Sequence, residues 1–215
     1  MKLKFYLVFI MLSLIGCDNR SANKQSSIKD DSLNTYEKDI LEARLETDKK
    51  FKDSESSPLN QEDILFFDSL DYFAIDTSFR IWAKLMKVEN ADTILFPTTT
   101  DRKPKYYIYA KANFELNKQN IELNIYRNVA FMNDSAYKNH LFLPFSDYTS
   151  GEETYGGGRY LDLEITDSSH ILIDFNKAYN PYCAYNSKYS CPIPPKENYI
   201  ETEIRAGEKN FHSKH

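Results

Sequence analysis

The side chains able to do chemistry crowd into one stretch of the chain, residues 145–198. Carboxylates stand at Asp147, Glu152, Glu153, Asp162, Asp174 and Glu197, amides at Asn176, Asn180 and Asn198, and a guanidinium at Arg159. Paired acids can divide the general-acid and general-base roles once burial separates their pKa values, and Asp147, Glu153 and Asp174 are the candidates for that work. They can also offer oxygen ligands to a hard cation, but the spacing matches no EF-hand loop, and neither a metal nor a cofactor is expected. The same groups equally well satisfy one another as a polar network. In that reading Asp147 and Asn176 make Asx turns, and Arg159 pairs with Asp147 or Asp174.

Four of the six glycines fall in the same stretch, three of them as Gly156-Gly157-Gly158 ahead of Arg159. Backbone amides in such a loop, with an arginine beside them, could cradle a phosphate or a carboxylate. A tight turn needing positive φ accounts for the same residues. The segment lacks the Gly-Lys-Ser/Thr ending of a P-loop and is no dinucleotide fingerprint. Histidine is scarce: His140 and His170 sit at expected strand starts, and His212 and His215 lie in the tail. A Ser-His-Asp or Cys-His site would need one of the first two to reach the acidic cluster. Cys183 and Cys191 are too far apart for the roughly two-to-four-residue spacing of a zinc pair. In an exported chain a Cys183–Cys191 disulfide is the default, contributing roughly 2–3 kcal/mol for so small a loop. Taken together, the expected ligand-binding set is Asp147, Thr149, Glu153, Tyr155, Gly157, Gly158, Arg159, Asp174, Asn176, Tyr179 and Asn180.

The elements that must hold these residues are mostly strands. Period-two alternation marks 80–88 and 106–116, and short runs at 93–96, 121–126, 141–145, 159–165 and 170–175 complete seven strands. Polar turns fall at 90–92, 117–120 and 167–169, and no helix separates consecutive strands. This predicts a mainly β fold: an antiparallel sandwich or barrel of about seven strands. The 16 Tyr and 14 Phe suit such a core better than a helical bundle. Pro181, Pro192, Pro194 and Pro195 exclude helix or central strand from 176–198, so this is a long irregular loop. Its four tyrosines argue against disorder, leaving a pocket wall or a covering lid.

Ahead of the strands, Tyr36, Ile40, Leu41, Leu45 and Phe51 recur at helical steps, predicting an amphipathic helix over 35–52 packed outside the domain. Ser57-Pro58-Leu59 opens a short second helix to about residue 66. A loop over 67–75 follows, with Leu70, Tyr72 and Phe73 as core plugs.

The first residues read as processing rather than fold. Lys2 and Lys4 precede an apolar run over 5–15 that is too short to span a bilayer core of ~30 Å, and Leu14-Ile15-Gly16-Cys17 resembles a lipobox. Residues 1–16 are therefore expected to be a lipoprotein signal peptide and 17–34 a disordered tether, polar and lipidated at Cys17. Residues 35–215 are expected to form a single domain. That places the protein in the cell envelope, anchored to a membrane by its lipid, with the membrane and the facing side open. Loss of Lys2 and Lys4 moves the formal charge from −5 to −7. A mildly acidic surface without a basic cluster argues against nucleic acid as a partner.

At Phe145 to Tyr160, at Asp174-Phe-Asn-Lys-Ala-Tyr-Asn-Pro181 and at Cys191-Pro-Ile-Pro-Pro195 with Glu197-Asn198, the sequence resembles the DUF1684 proteins. Shorter similarities lie at Ser57-Pro58-Leu59, 70–73 and 206–209, so the resemblance runs over about 37–211. It brings no activity with it. It does imply that relatives which look cytoplasmic carry the same cysteine pair, so oxidised and reduced forms both remain open. Three readings follow: a binding module for a small polar or anionic ligand at the 145–198 loops, a carboxylate-based hydrolase in the same pocket, and a structural lipoprotein without a ligand. The scarcity of histidine favours binding.

Overall fold

The computed structural model describes residues 20–213, with side chains from residue 35. The expected signal peptide and Cys17 lie outside the described residues, as do the side chains of the expected tether. Residues 40–215 form one compact unit; of the unit before it, the described part is helix alone.

Helix α1 (Arg20–Lys52) contains the predicted 35–52 segment. Its buried face within the compact unit is set by Ile40 and Phe51, with Arg44 and Thr47 between them at i+4 and i+7. Leu41 and Leu45, expected on that face, are exposed. Asn60 precedes α2 (Gln61–Phe66), and Leu70 and Phe73 then enter the core as expected.

The strands are β1 (Arg80–Lys87), β2 (Ile94–Leu95), β3 (Lys105–Leu116), β4 (Gln119–Asn128), β5 (His140–Asp147), β6 (Arg159–Glu164), β7 (His170–Asp174) and β8 (Tyr199–Ile200). All seven predicted strands are present, and β8 is added. They form one curled, antiparallel half-barrel in the order β6-β5-β4-β3-β1-β7. Strand β2 shares the edge of β3 with β1, and β8 pairs with β5 in parallel. The tight turn between β3 and β4 places Asn117 at φ 51° and Lys118 at φ 64°, the paired positive values of a hairpin whose twist matches its strands.

Alternation divides the side chains between two faces. Ala83, Ala110, Ala112, Leu123, Ile125, Leu141, Leu143, Leu161 and Ile173 fill the concave core with Phe145 and Phe175. Phe96, Tyr106, Tyr126, Phe142 and Tyr160 form a second, aromatic cluster. Strand period places Phe142 and Tyr160 on the face opposite Leu141, Leu143 and Leu161. A third cluster, Phe51, Leu59, Leu70 and Tyr185, joins α1 to the long loop.

One interruption of the ladder is filled by a side chain. Strands β4 and β5 pair at Tyr126 and Phe142, and the next opposed pair would be Asn124 and Pro144. Pro144 has no N–H to give. The Asn198 amide is inserted instead. Its Oδ1 accepts from Asn124 N at 2.8 Å, and its Nδ2 donates to Asn124 O at 2.9 Å and to Pro144 O at 2.7 Å. This ties β8 and the end of the long loop to the sheet.

Candidate functional site

Arg159 lies on the core side of β6 and is 0% exposed. Its Nη2 donates to Asp147 Oδ2 at 3.0 Å and to Ile204 O at 2.7 Å, and its Nη1 donates to the carbonyls of Ala206 and, at 3.3 Å, Glu208. Burial works against the guanidinium charge, and the Asp147 carboxylate works for it. Asp147 Oδ1 also accepts from Thr149 N, Thr149 Oγ1 and Ile204 N. This is the polar network, with the Asx turn at Asp147, and its bonds are directed at the backbone of 204–208. Thr149 and Thr154 are buried beside it, 2.9 Å apart through their hydroxyls.

The glycines serve the same region. Gly158 has φ +80°, and a Cβ there would stand 2.6 Å from Phe145 O and 2.7 Å from the Pro194 ring. Its amide is bound to Tyr155 O, and the Tyr155 ring covers Gly157. Glu153 pairs with Arg205 at 3.0 Å on the surface. Asp174 is buried and caps the turn after β7 by accepting from Asn176 N. Asn176 does not make its own Asx turn: Asp76 N donates to its Oδ1, and its Nδ2 donates to Asp76 O.

A cleft of about 830 Å³ opens elsewhere. One wall is α1, through Ile40, Arg44, Thr47, Lys50 and Phe51. The second is the convex aromatic face of the sheet, through Tyr106, Phe142, Tyr160, His140 and Asp162. The third is the long loop, through Asn176, Tyr179, Asn180, Tyr182, Tyr189 and Ser190, with Glu208 beside it. Of the expected binding set, Asn176, Tyr179 and Asn180 line this cleft. Of the others, Asp147, Thr149 and Arg159 lie in the network, Tyr155, Gly157 and Gly158 at the glycine turn, Glu153 on the surface and Asp174 at the buried turn after β7. Cys183 and Cys191 are placed as a disulfide pair, with Cα atoms 6.2 Å apart, and clamp the loop that carries the third wall.

Sequence reasoning named His140, Asp162 and Tyr179 without joining them and did not pick out Arg102 or Glu208, and all five line the cleft. His140 Nε2 lies 2.8 Å from Asp162 Oδ1, and Tyr179 Oη donates to Asp162 Oδ2 at 3.0 Å. Burial and the Asp162 carboxylate push the Tyr179 phenol well up, so it remains a donor. Arg102 donates to Ser190 O at 2.6 Å and to Ser190 Oγ at 3.1 Å. Glu208 is buried, and its Oε2 accepts from Asn180 N at 2.7 Å and from Tyr185 Oη at 2.6 Å. Burial pushes its carboxyl up to about 7, against the pull of those two bonds. Gly207, at φ +77°, lets the 206–208 backbone press against Ala178: a Cβ there would stand 2.5 Å from Ala178 O. The buried network thus holds Glu208 in place from behind.

A second hollow of about 660 Å³ lies by Phe73, Phe79, Tyr148 and Thr202. Its cation, Arg205, is already paired with Glu203 and Glu153. Among the described residues no group of three or more His, Cys, Asp or Glu could hold a metal ion, and no helix is long and apolar enough to cross a membrane.

A family profile described as "Protein of unknown function (DUF1684)" matches residues 66–209. The chain belongs to this family. The match begins at the last residue of α2, so the cleft walls made by the sheet, the long loop and Glu208 lie inside the DUF1684 region, and the α1 wall lies before it. An uncharacterised protein of Haloarcula marismortui, solved by solution NMR, is 35% identical, with a TM-score of 0.65 over 84% of this chain and 97% of its own. No curated protein matches the chain.

Proposed function

We propose that this protein is a lipid-anchored envelope module that binds a small organic anion with a flat apolar body in the cleft between α1, the convex sheet face and the long loop. One observation carries the reading. The cleft is lined by Arg44, Lys50, Arg102 and Lys177 against the two acids Asp162 and Glu208, in a chain whose formal charge is −5. A concave site of excess positive charge concentrates anions that the acidic surface elsewhere repels. The aromatic walls supply the apolar contact, and the volume falls in the range of about 300–1,000 Å³ usual for small-molecule sites. The His140–Asp162 pair favours a second reading, a hydrolase with the imidazole as base and Asp162 orienting it. In that case its acids are Asp162 and Glu208 rather than Asp147, Glu153 or Asp174.

Thermal-shift screening against a panel of aromatic and aliphatic carboxylates and phosphates tests binding. Hits are expected among the acids, and their shifts should disappear in the Lys50→Glu/Arg102→Glu variant. A panel without hits, or hits indifferent to that charge reversal, retires the proposal. Turnover of chromogenic esters that is lost in His140→Gln would move the reading to catalysis.

A further inference from the structure

Resting on the anion-binding reading, one corner of the cleft narrows the ligand class. We propose that Asn180 and Glu208 form a paired acceptor site for a hydrogen-bond donor of the ligand, so that the ligand is an organic acid that also carries an ammonium or hydroxyl group. Asn180 is 2% exposed, and its amide is oriented by Nδ2 donating to Lys209 O at 2.8 Å. That orientation leaves Oδ1 buried and without a partner among the described residues, although the residue lines the cleft. Buried amide oxygens are rarely left so, because the lost hydrogen bond is not returned elsewhere. Beside it, both bonds to the Glu208 carboxylate fall on Oε2, and Glu208 also lines the cleft. Two acceptors at one wall of a site rich in cations suit a ligand that is negative at one end and a donor at another.

The charged and titratable groups around Glu208 are Asp48 from α1, Tyr72 from the 67–76 segment with Arg44 over its ring, Arg159 from β6, and Tyr179 and Tyr185 from the loop. Its carboxyl, pushed up to about 7, becomes a full negative charge only above neutrality. An ammonium donor should therefore be held more tightly at pH 8 than at pH 6, and a hydroxyl donor should show less of this trend.

Three probes that share a ring, chain length and carboxylate separate the possibilities: 3-phenylpropionate, phenyllactate and phenylalanine. They are titrated into the ¹⁵N-labelled protein and followed by amide chemical shifts at pH 6 and pH 8. At least one of the two donor-bearing probes is expected to bind tenfold or more tightly than 3-phenylpropionate, with shifts centred on Asn180 and Glu208. In Glu208→Gln, which keeps the acceptor for Asn180 N and Tyr185 Oη, the phenylalanine to 3-phenylpropionate ratio should become the same at both pH values. A well-dispersed spectrum shows that the variant is folded. Equal binding of all three probes in the cleft overturns the acceptor site and leaves anion binding standing. Binding of none of them overturns the acceptor site, and the panel of carboxylates and phosphates then decides whether anion binding stands.

Discussion

At the scale of single residues, two buried charges behave in opposite ways. Arg159 and Asp147 neutralise each other in the core, and the guanidinium also satisfies three backbone carbonyls of 204–208. Removing one partner of such a pair leaves an uncompensated buried charge, typically at a cost of about 3–5 kcal/mol. Arg159→Met is therefore expected to lower the urea-unfolding free energy by that order. Glu153→Gln, which opens only the exposed contact with Arg205, should change it by less than about 1 kcal/mol. Among the described residues no cation is bonded to the Glu208 carboxylate. Its carboxyl is raised from 4.5 to about 7, so between these values the folded state holds more protons than the unfolded chain, and stability must fall as pH rises. The stability is full below about pH 4.5 and is lost on passing about 7. At 1.36 kcal/mol per pKa unit the change is of the order of 3 kcal/mol. Glu208→Gln should remove this part of the slope when unfolding is compared at pH 5 and pH 8; an unchanged slope would assign the titration to another group.

At the scale of elements, the β4–β5 joint shows a side chain acting as backbone. Without Asn198, the N–H and carbonyl of Asn124 and the carbonyl of Pro144 lose their partners in a buried position. Unsatisfied groups of this kind cost about 1–3 kcal/mol each, so Asn198→Ala is expected to destabilise by about 2–4 kcal/mol once water has repaired part of the loss. Hydrogen exchange should show Asn124 N–H opening ahead of the rest of β4. Protection of that amide unchanged from the parent would mean that the two strands close the gap themselves. The strands on either side were legible in the sequence because the short runs at 121–126 and 141–145 are local properties. Asn198 was visible only as a polar residue after prolines, since its meaning depends on a missing N–H 54 positions away. The candidate site was legible in part for the same reason. Asn176, Tyr179 and Asn180 could be picked out from the density of polar and aromatic residues in the loop. That density is the same for a cluster turned inward, and Asp147, Thr149 and Arg159 are turned inward. His140 meets Asp162 through the register that pairs β5 with β6, which no local pattern encodes. The first wall needed α1, whose inward face runs through Arg44 and Thr47 rather than through the more apolar Leu41 and Leu45.

At the scale of the whole molecule, the proposal joins a cleft of positive character to an acidic chain that is attached to a membrane. An acidic surface is not drawn to anionic headgroups, so the proposed attachment rests on covalent lipid at Cys17 rather than on charge. Acyl chains contribute about 0.8 kcal/mol per buried CH₂, and one chain alone gives only marginal binding, so stable anchoring requires more than one. Expressed in a bacterium that processes lipoproteins, the protein should therefore sediment with membranes and stay there in high salt. Cys17→Ser should move it to the soluble fraction with an unchanged circular dichroism spectrum, because residues 40–215 form a compact unit without it. The two lipid-independent alternatives predict different outcomes. A protein held by its charged surface would leave the membrane as salt is raised whether or not Cys17 is present. A protein held by an uncleaved apolar segment over 5–15 would remain membrane-bound in Cys17→Ser, with the mass of the full precursor.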